Sequence, residues 1–172
     1  MDPVSILSIC NLQITDSIAD FGAGSGFVAK AAASIVTQGN VFAIEINKDI
    51  VTRLTREIDQ MKITNIHPIW GDIEVNEGTK LSNDSMDFVI LSNVMFHLDD
   101  KVGCIKEAYR VLKTGGRIIM IDWSESFGGM GPSKDSVFSK ESAIKLFSSI
   151  GFSTMNESIE AGDHHYAILF KK

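Results

Sequence analysis

Four polar residues in this chain stand at, or just past, the end of an apolar run: Asp20, Glu45, Asp72 and Asn93. Carboxylates and an amide in such places can hold a ligand through hydrogen bonds. The first of them leads into Gly22-Ala23-Gly24-Ser25-Gly26, three glycines at alternate positions. Glycine is needed where the backbone takes positive φ or meets a ligand with no Cβ in the way. Residues 18–26 therefore read as a buried strand, a glycine turn and the start of a helix over 27–36, a nucleotide-type binding site with the helix N-terminus aimed at the ligand. A dinucleotide fingerprint runs G-x-G-x-x-G, whereas this turn runs G-x-G-x-G with Asp20 two residues ahead of it. Glu45 lies at the distance from the turn that suits an acid accepting hydrogen bonds from ribose hydroxyls, and Ile46 would then lie beside the nucleoside. The competing role for Glu45 is a solvated acid at the head of the next helix, and Gly71-Asp72 is also a common turn pair. Histidine is the side chain whose unperturbed titration falls near neutrality, so His97 could serve as a general base.

Positioning these groups takes an alternation of short β-branched runs with helical periodicity, the pattern of a parallel sheet covered on both faces. A helix over 3–12 precedes strand one at 17–21. Strand two follows at 41–45, and Asn47 caps a helix reaching about residue 61. Strand three is expected at 65–70 and a doubly buried strand four at 86–92. A helix over 101–112 stops at Lys113-Thr114-Gly115-Gly116, where glycine can form a left-handed C-cap, and strand five covers 117–123. The segment 124–138 contains Gly128, Gly129, Gly131 and Pro132 and is the least regular stretch. Ser139 caps a helix over 140–150, and 152–159 with 165–171 make a closing hairpin. The fold class is α/β, one doubly wound seven-stranded sheet, mostly parallel with an antiparallel last strand. It forms a single domain over residues 1–172 with a short N-terminal helix and no separate lid domain.

The 172 residues suffice for one real core. With 16 Lys+Arg against 22 Asp+Glu the formal net charge is −6, which disfavours nucleic acid as a partner. Residues 1–4 lack the positive region of a secretory signal and no apolar stretch reaches spanning length, so a cytoplasmic protein without a membrane partner is expected. Cys10 and Cys104 form no metal pair. His164 and His165 are adjacent on a strand and point to opposite faces, so no metal site is expected there.

The segment from Asp20 through Gly26 resembles the first motif of the class I S-adenosylmethionine-dependent methyltransferases. The helix over 101–112, the Gly-Gly stop, the strand ending in Asp122-Trp123 and the final hairpin extend the resemblance from Ser17 onward. It implies S-adenosyl-L-methionine as cofactor. Gly22, Ala23 and Gly24 would make room for its methionine part, and Asp20 would help hold its amino group, directly or through water. Asp72 would contact the adenine amino group while Ile73 covers the ring. Leu91-Ser92-Asn93-Val94-Met95-Phe96-His97 lacks the Asn/Asp-Pro-Pro-aromatic motif of adenine methylation and the Pro-Cys nucleophile of pyrimidine methylation. It is closest to the small-molecule branch that includes ubiquinone/menaquinone C-methyltransferases and arsenite methyltransferases, though the cysteines that arsenic chemistry requires are missing. Asn93 would sit near the sulfonium. As catalytic residues, His97 and Asn93 are the candidates, His97 having a packing or capping role as its alternative.

The expected function is methyl transfer to a small-molecule acceptor by proximity and orientation, which needs no catalytic triad. The alternatives are a protein or RNA methyltransferase and a cofactor-binding subunit without turnover. A nicotinamide oxidoreductase fits less well, because its phosphate-binding spacing is absent. Phe127, Met130 and Phe138 in the segment 124–138 are candidates to line an acceptor pocket. The short lid leaves room for a bulky acceptor or for a second copy in a homodimer.

Overall fold

Runs such as Phe88-Val89-Ile90-Leu91 and Ile118-Ile119-Met120-Ile121 are apolar on both sides of the pleat, so both faces of the sheet they form must be covered. The computed structural model describes residues 2–129 and 131–172 and shows this arrangement. Strands β1 (Ser17–Phe21), β2 (Asn40–Glu45), β3 (Ile66–Trp70), β4 (Met86–Ser92), β5 (Leu112–Trp123), β6 (Ser153–Ile159) and β7 (His165–Lys171) form one sheet in the order β3-β2-β1-β4-β5-β7-β6. The pairs from β3 to β5 are parallel, and β7 runs antiparallel to both β5 and β6. Helices α1 (Pro3–Ile9), α2 (Phe27–Ile35) and α3 (Lys48–Gln60) pack on one face around Ile18, Phe88 and Ile90. Helices α4 (Lys101–Val111) and α5 (Lys140–Ile150) cover the other, around Phe21, Leu91 and Met120.

The helix starts follow from their caps. Asn47 Oδ1 accepts from the Asp49 N–H at 2.9 Å, Asp100 Oδ1 from the Gly103 N–H at 2.8 Å, and Ser139 Oγ from the Ser142 N–H at 3.2 Å. Two ends differ from the sequence reading. The first helix stops at Ile9 rather than residue 12, because Asn11 takes a left-handed φ of 52°. The fourth ends at Val111 without a glycine C-cap: Leu112 is already extended, and β5 begins at once. Gly115, at φ 79°, instead serves a bulge in β5, where the register against β4 jumps from Met86–Leu112 to Phe88–Arg117. The extra residues are held by the Gly115 N–H donating to the Lys172 carbonyl and the Lys172 N–H to that of Gly116.

β3 is an edge strand, yet the chain must pass β2 and β1 to reach β4. Residues 71–85 make this crossover without a helix. No helix among the described residues is long and apolar enough to cross a membrane.

Candidate functional site

Parallel strands end together, so the turns after β1, β2, β3 and β4 meet at one edge on either side of the switch between β1 and β4. The glycine turn is tied down first. The Gly22 and Ala23 N–H groups both donate to the Ile44 carbonyl at 2.9 Å, and Gly24 N–H donates to Glu45 Oε2 at 3.1 Å. Gly22 sits at φ 77°, and a Cβ there would come within 2.6 Å of Val94 Cγ2, so only glycine lets this turn lie against the turn after β4.

Around these turns is a cavity of about 400 Å³. Gly22, Gly24, Glu45, Ile46, Asp72, Ile73 and Asn93 line it, together with His97. Seven of the nine expected cofactor residues thus share one space. The other two lie beneath it. Ala23 packs on the core, and Asp20 is buried on the α2 face of β1. Burial pushes the Asp20 carboxyl up to about 7 and the nearby Glu45 charge adds to this, against a backbone N–H bond from Ala29. Its Oδ2 accepts no hydrogen bond among the described residues.

Glu45 spends part of its bonding capacity inside the protein, its Oε1 accepting from the Asn47 N–H at 2.8 Å. Asp72 accepts from the Glu74 N–H at 2.9 Å through Oδ1. Asn93 takes a left-handed φ of 54°, its N–H donates to the Ile121 carbonyl at 2.8 Å, and its Oδ1 is buried without a partner among the described residues. A strained backbone carrying an orphaned acceptor at a cavity wall is a ligand signature. His97 is exposed, stacked at 3.8 Å on Phe96 in a one-turn 3₁₀ helix (Met95–His97) that precedes α4 rather than starting it.

The sequence reading passes over Glu74, Val94 and Leu98, which also line the cavity. Their signal is proximity alone, each following an expected contact by one to a few residues. It also passes over Asp122 as a titrating group. Burial pushes Asp122 up to about 6 against the backbone N–H groups of Trp123, Phe96 and Met95 and the charge of Lys101. That carboxyl therefore sits under the turn bearing His97. Of the expected acceptor residues, Phe127 stacks on His164 at 3.7 Å and Phe138 packs on the α4–α5 core; Met130 lies outside the described residues.

Residues 15–160 match the family model described as a methyltransferase domain. The chain belongs to the class I S-adenosylmethionine-dependent methyltransferases. It is 29% identical over 159 residues to the human arsenite methyltransferase, covering 78% of this chain and 40% of that protein. It is 26% identical over 110 residues to the ubiquinone/menaquinone biosynthesis C-methyltransferase UbiE of Vibrio campbellii, covering 63% and 41%. The chain thus spans about two fifths of the length of these relatives. Among solved structures, an S-adenosylmethionine-dependent methyltransferase of Aquifex aeolicus superposes with a TM-score of 0.90 at 20% identity, over 99% of this chain and 89% of that one. The [4+2]-cyclase SpnF superposes at 0.84 with 13% identity, over 99% and 80%. At such identities the likeness is one of fold.

The residues present fit the family's cofactor, S-adenosylmethionine. The cavity offers carboxylate acceptors for hydroxyl and amino donors, an orphaned amide oxygen at Asn93, and a glycine turn whose missing Cβ atoms leave space.

Proposed function

We propose that the chain binds S-adenosylmethionine in the cavity between the turns after β1 to β4 and transfers its methyl group to a small-molecule acceptor. The observation that carries this reading is the unpartnered, buried Asn93 Oδ1 beside a cavity that brings the glycine turn and three carboxylates, Glu45, Asp72 and Glu74, together with the apolar side chains of Ile46 and Ile73. Glu45 accepts hydrogen bonds from the ribose hydroxyls, Asp72 from the adenine amino group, and Ile46 and Ile73 enclose the ring. Gly22, Ala23 and Gly24 admit the methionine part, and Asp20 holds the turn and the amino group from below. When bound, the sulfonium supplies a methyl group already activated toward nucleophiles. The protein's task is then to exclude water and align an acceptor, which can lower a barrier by up to roughly 7–11 kcal/mol. His97, exposed at the cavity edge, takes the proton of an acceptor that must lose one.

The UbiE and arsenite methyltransferase relatives support a small molecule as acceptor. Calorimetric titration of S-adenosylhomocysteine, with NAD as control, tests the cofactor assignment on the wild type and on an Asp20→Ala, Glu45→Ala double variant. Micromolar binding lost in the double variant is expected, and binding of NAD alone would overturn the reading. Methyl transfer from labelled cofactor to quinol and thiol acceptors then tests the substrate class.

A further inference from the structure

The crossover 71–85, which carries Asp72 and Ile73 into the cavity, has no helix to hold it. Three of its non-glycine residues are left-handed, Glu77 at φ 61°, Lys80 at φ 62° and Asp84 at φ 49°. Such backbone persists only where its surroundings fix it. Those surroundings are one face of α4. A Cβ on Gly103 would lie 2.3 Å from the Glu74 carbonyl oxygen, so helix and loop touch at the backbone. One turn on stands Glu107, 1% exposed, beside the equally buried Thr79. Its carboxylate accepts from the Glu77 N–H at 3.0 Å, the Thr79 N–H at 3.2 Å and the Thr79 hydroxyl at 2.6 Å. Arg110, three residues further along the helix, completes the set with Nε at 2.8 Å and Nη2 at 2.7 Å. Burial by itself would raise the Glu107 carboxyl, and the bonds from Arg110, Thr79 and Glu77 outweigh it and leave it below its ordinary range. From this anchor the loop folds back on itself. The Asp72 N–H donates to the Gly78 carbonyl at 3.1 Å, and a Cβ on Gly71 would stand 2.6 Å from that same oxygen. The residue between Glu77 and Thr79 therefore sets where Asp72 stands.

The geometry points to Glu107, with Thr79 and Arg110, as the positioning device for the adenine end of the site: a buried carboxylate that fixes the 77–79 backbone and through it Asp72, and so governs recognition of the adenine amino group. This rests on the cofactor reading above, and Glu107 itself touches no ligand. The test uses Glu107→Gln, which keeps the shape and removes acceptor capacity, and Thr79→Val, which removes one hydroxyl and keeps the buried ion pair in case the first variant folds poorly. Amide hydrogen exchange of the ligand-free proteins reads the loop, and titration with S-adenosylhomocysteine and its deaminated inosyl analogue reads the adenine contact. The wild type is expected to prefer the amino ligand about tenfold, the scale of one hydrogen bond to a charged group. Both variants should speed exchange at Asp72, Gly78 and Thr79 while exchange in β4 stays slow, and should bring the preference toward unity. Unchanged exchange in the loop overturns the inference, and so does faster exchange with the preference intact. Absence of S-adenosylhomocysteine binding to a wild type whose variants do loosen the loop overturns the cofactor reading itself, and the positioning role with it.

Discussion

The two ends of the sheet's ligand edge are built by different means. Around β1 to β4 the turns are held by backbone bonds to neighbouring strands and by two carboxylates, with Gly22 and Ala23 on the Ile44 carbonyl, Gly24 on the half-buried Glu45, and residues 77–79 on the buried Glu107. Beyond β5, the described residues of the segment 124–138 are anchored at Phe138 on the α4–α5 core and at the buried Pro132, and the remainder rest on surface contacts. Phe127, 42% exposed, stacks on His164, Glu125 pairs with the same imidazole at 2.8 Å, and a Cβ on Gly131 would stand 2.6 Å from the Trp123 indole. Exposed ion pairs and single ring contacts contribute about 1 kcal/mol or less each. Buried polar groups cost more than that when one partner is lost. One region is thereby held in a single arrangement by bonds that are costly to lose, whereas the exposed residues of the other can change at little cost to the fold.

Substitutions that leave the contrast standing or abolish it rank as follows. Gly22→Ala places a Cβ at a left-handed φ and against Val94; the expected cost is about 2–4 kcal/mol in denaturant unfolding, with loss of S-adenosylhomocysteine binding in calorimetry. Glu45→Ala removes the acceptor of the Gly24 N–H and, with it, the proposed acceptor for the ribose, and should weaken binding by about 1.5–3 kcal/mol, that is by roughly tenfold or more.

Asp20 sharpens the comparison through pH. Its folded-state pKa of about 7 lies above the ordinary 3.8, so the folded chain keeps a proton that the unfolded chain releases. The stability it contributes is full below about pH 4 and is lost as pH rises toward 7. Asp122, raised to about 6, acts with the same sign over a narrower window. Asp20→Asn should flatten the dependence of unfolding free energy on pH between about 4 and 7, and at pH 8 should be more stable than wild type by about 1–2 kcal/mol. A steeper dependence in that variant would contradict the assignment. The ammonium of a bound ligand near Asp20 draws its proton off, so S-adenosylhomocysteine should bind more tightly at pH 8 than at pH 5.5. Phe127→Ala, at the other end, should change stability by less than about 0.5 kcal/mol and leave cofactor affinity untouched, while limited proteolysis within 124–138 accelerates.

Strand ends, helix caps and the glycine turn were legible because each is a local signal: Asn47 and Ser139 cap where a polar residue precedes a periodic run, and Gly22 must be glycine. Asp20 and Glu45 were legible as polar ends of apolar strands, although the alternation of the pleat that buries Asp20 under α2 puts it beneath the cavity instead of on its wall. Gly115 misled, since a glycine after a helix serves equally as a C-cap or a strand bulge, and the choice is made by Lys172 at a separation of 57 residues. Glu107 was silent because, within the helix, a Glu three residues before an Arg looks like an ordinary surface pair. Its burial depends on a loop that passes some 30 residues earlier in the chain.

The placement of β7 between β5 and β6 has a consequence for how the molecule comes to exist. Among the described residues β6 pairs with β7 and with no other strand, and β5 presents an unpaired edge until β7 arrives. The far half of the sheet therefore cannot close before residues 165–171 are in place, whereas the strand pairs from β3 to β5 need nothing from it. An open β5 edge beside an unpaired β6 is a template for mispairing, and β7 removes both by occupying the place between them.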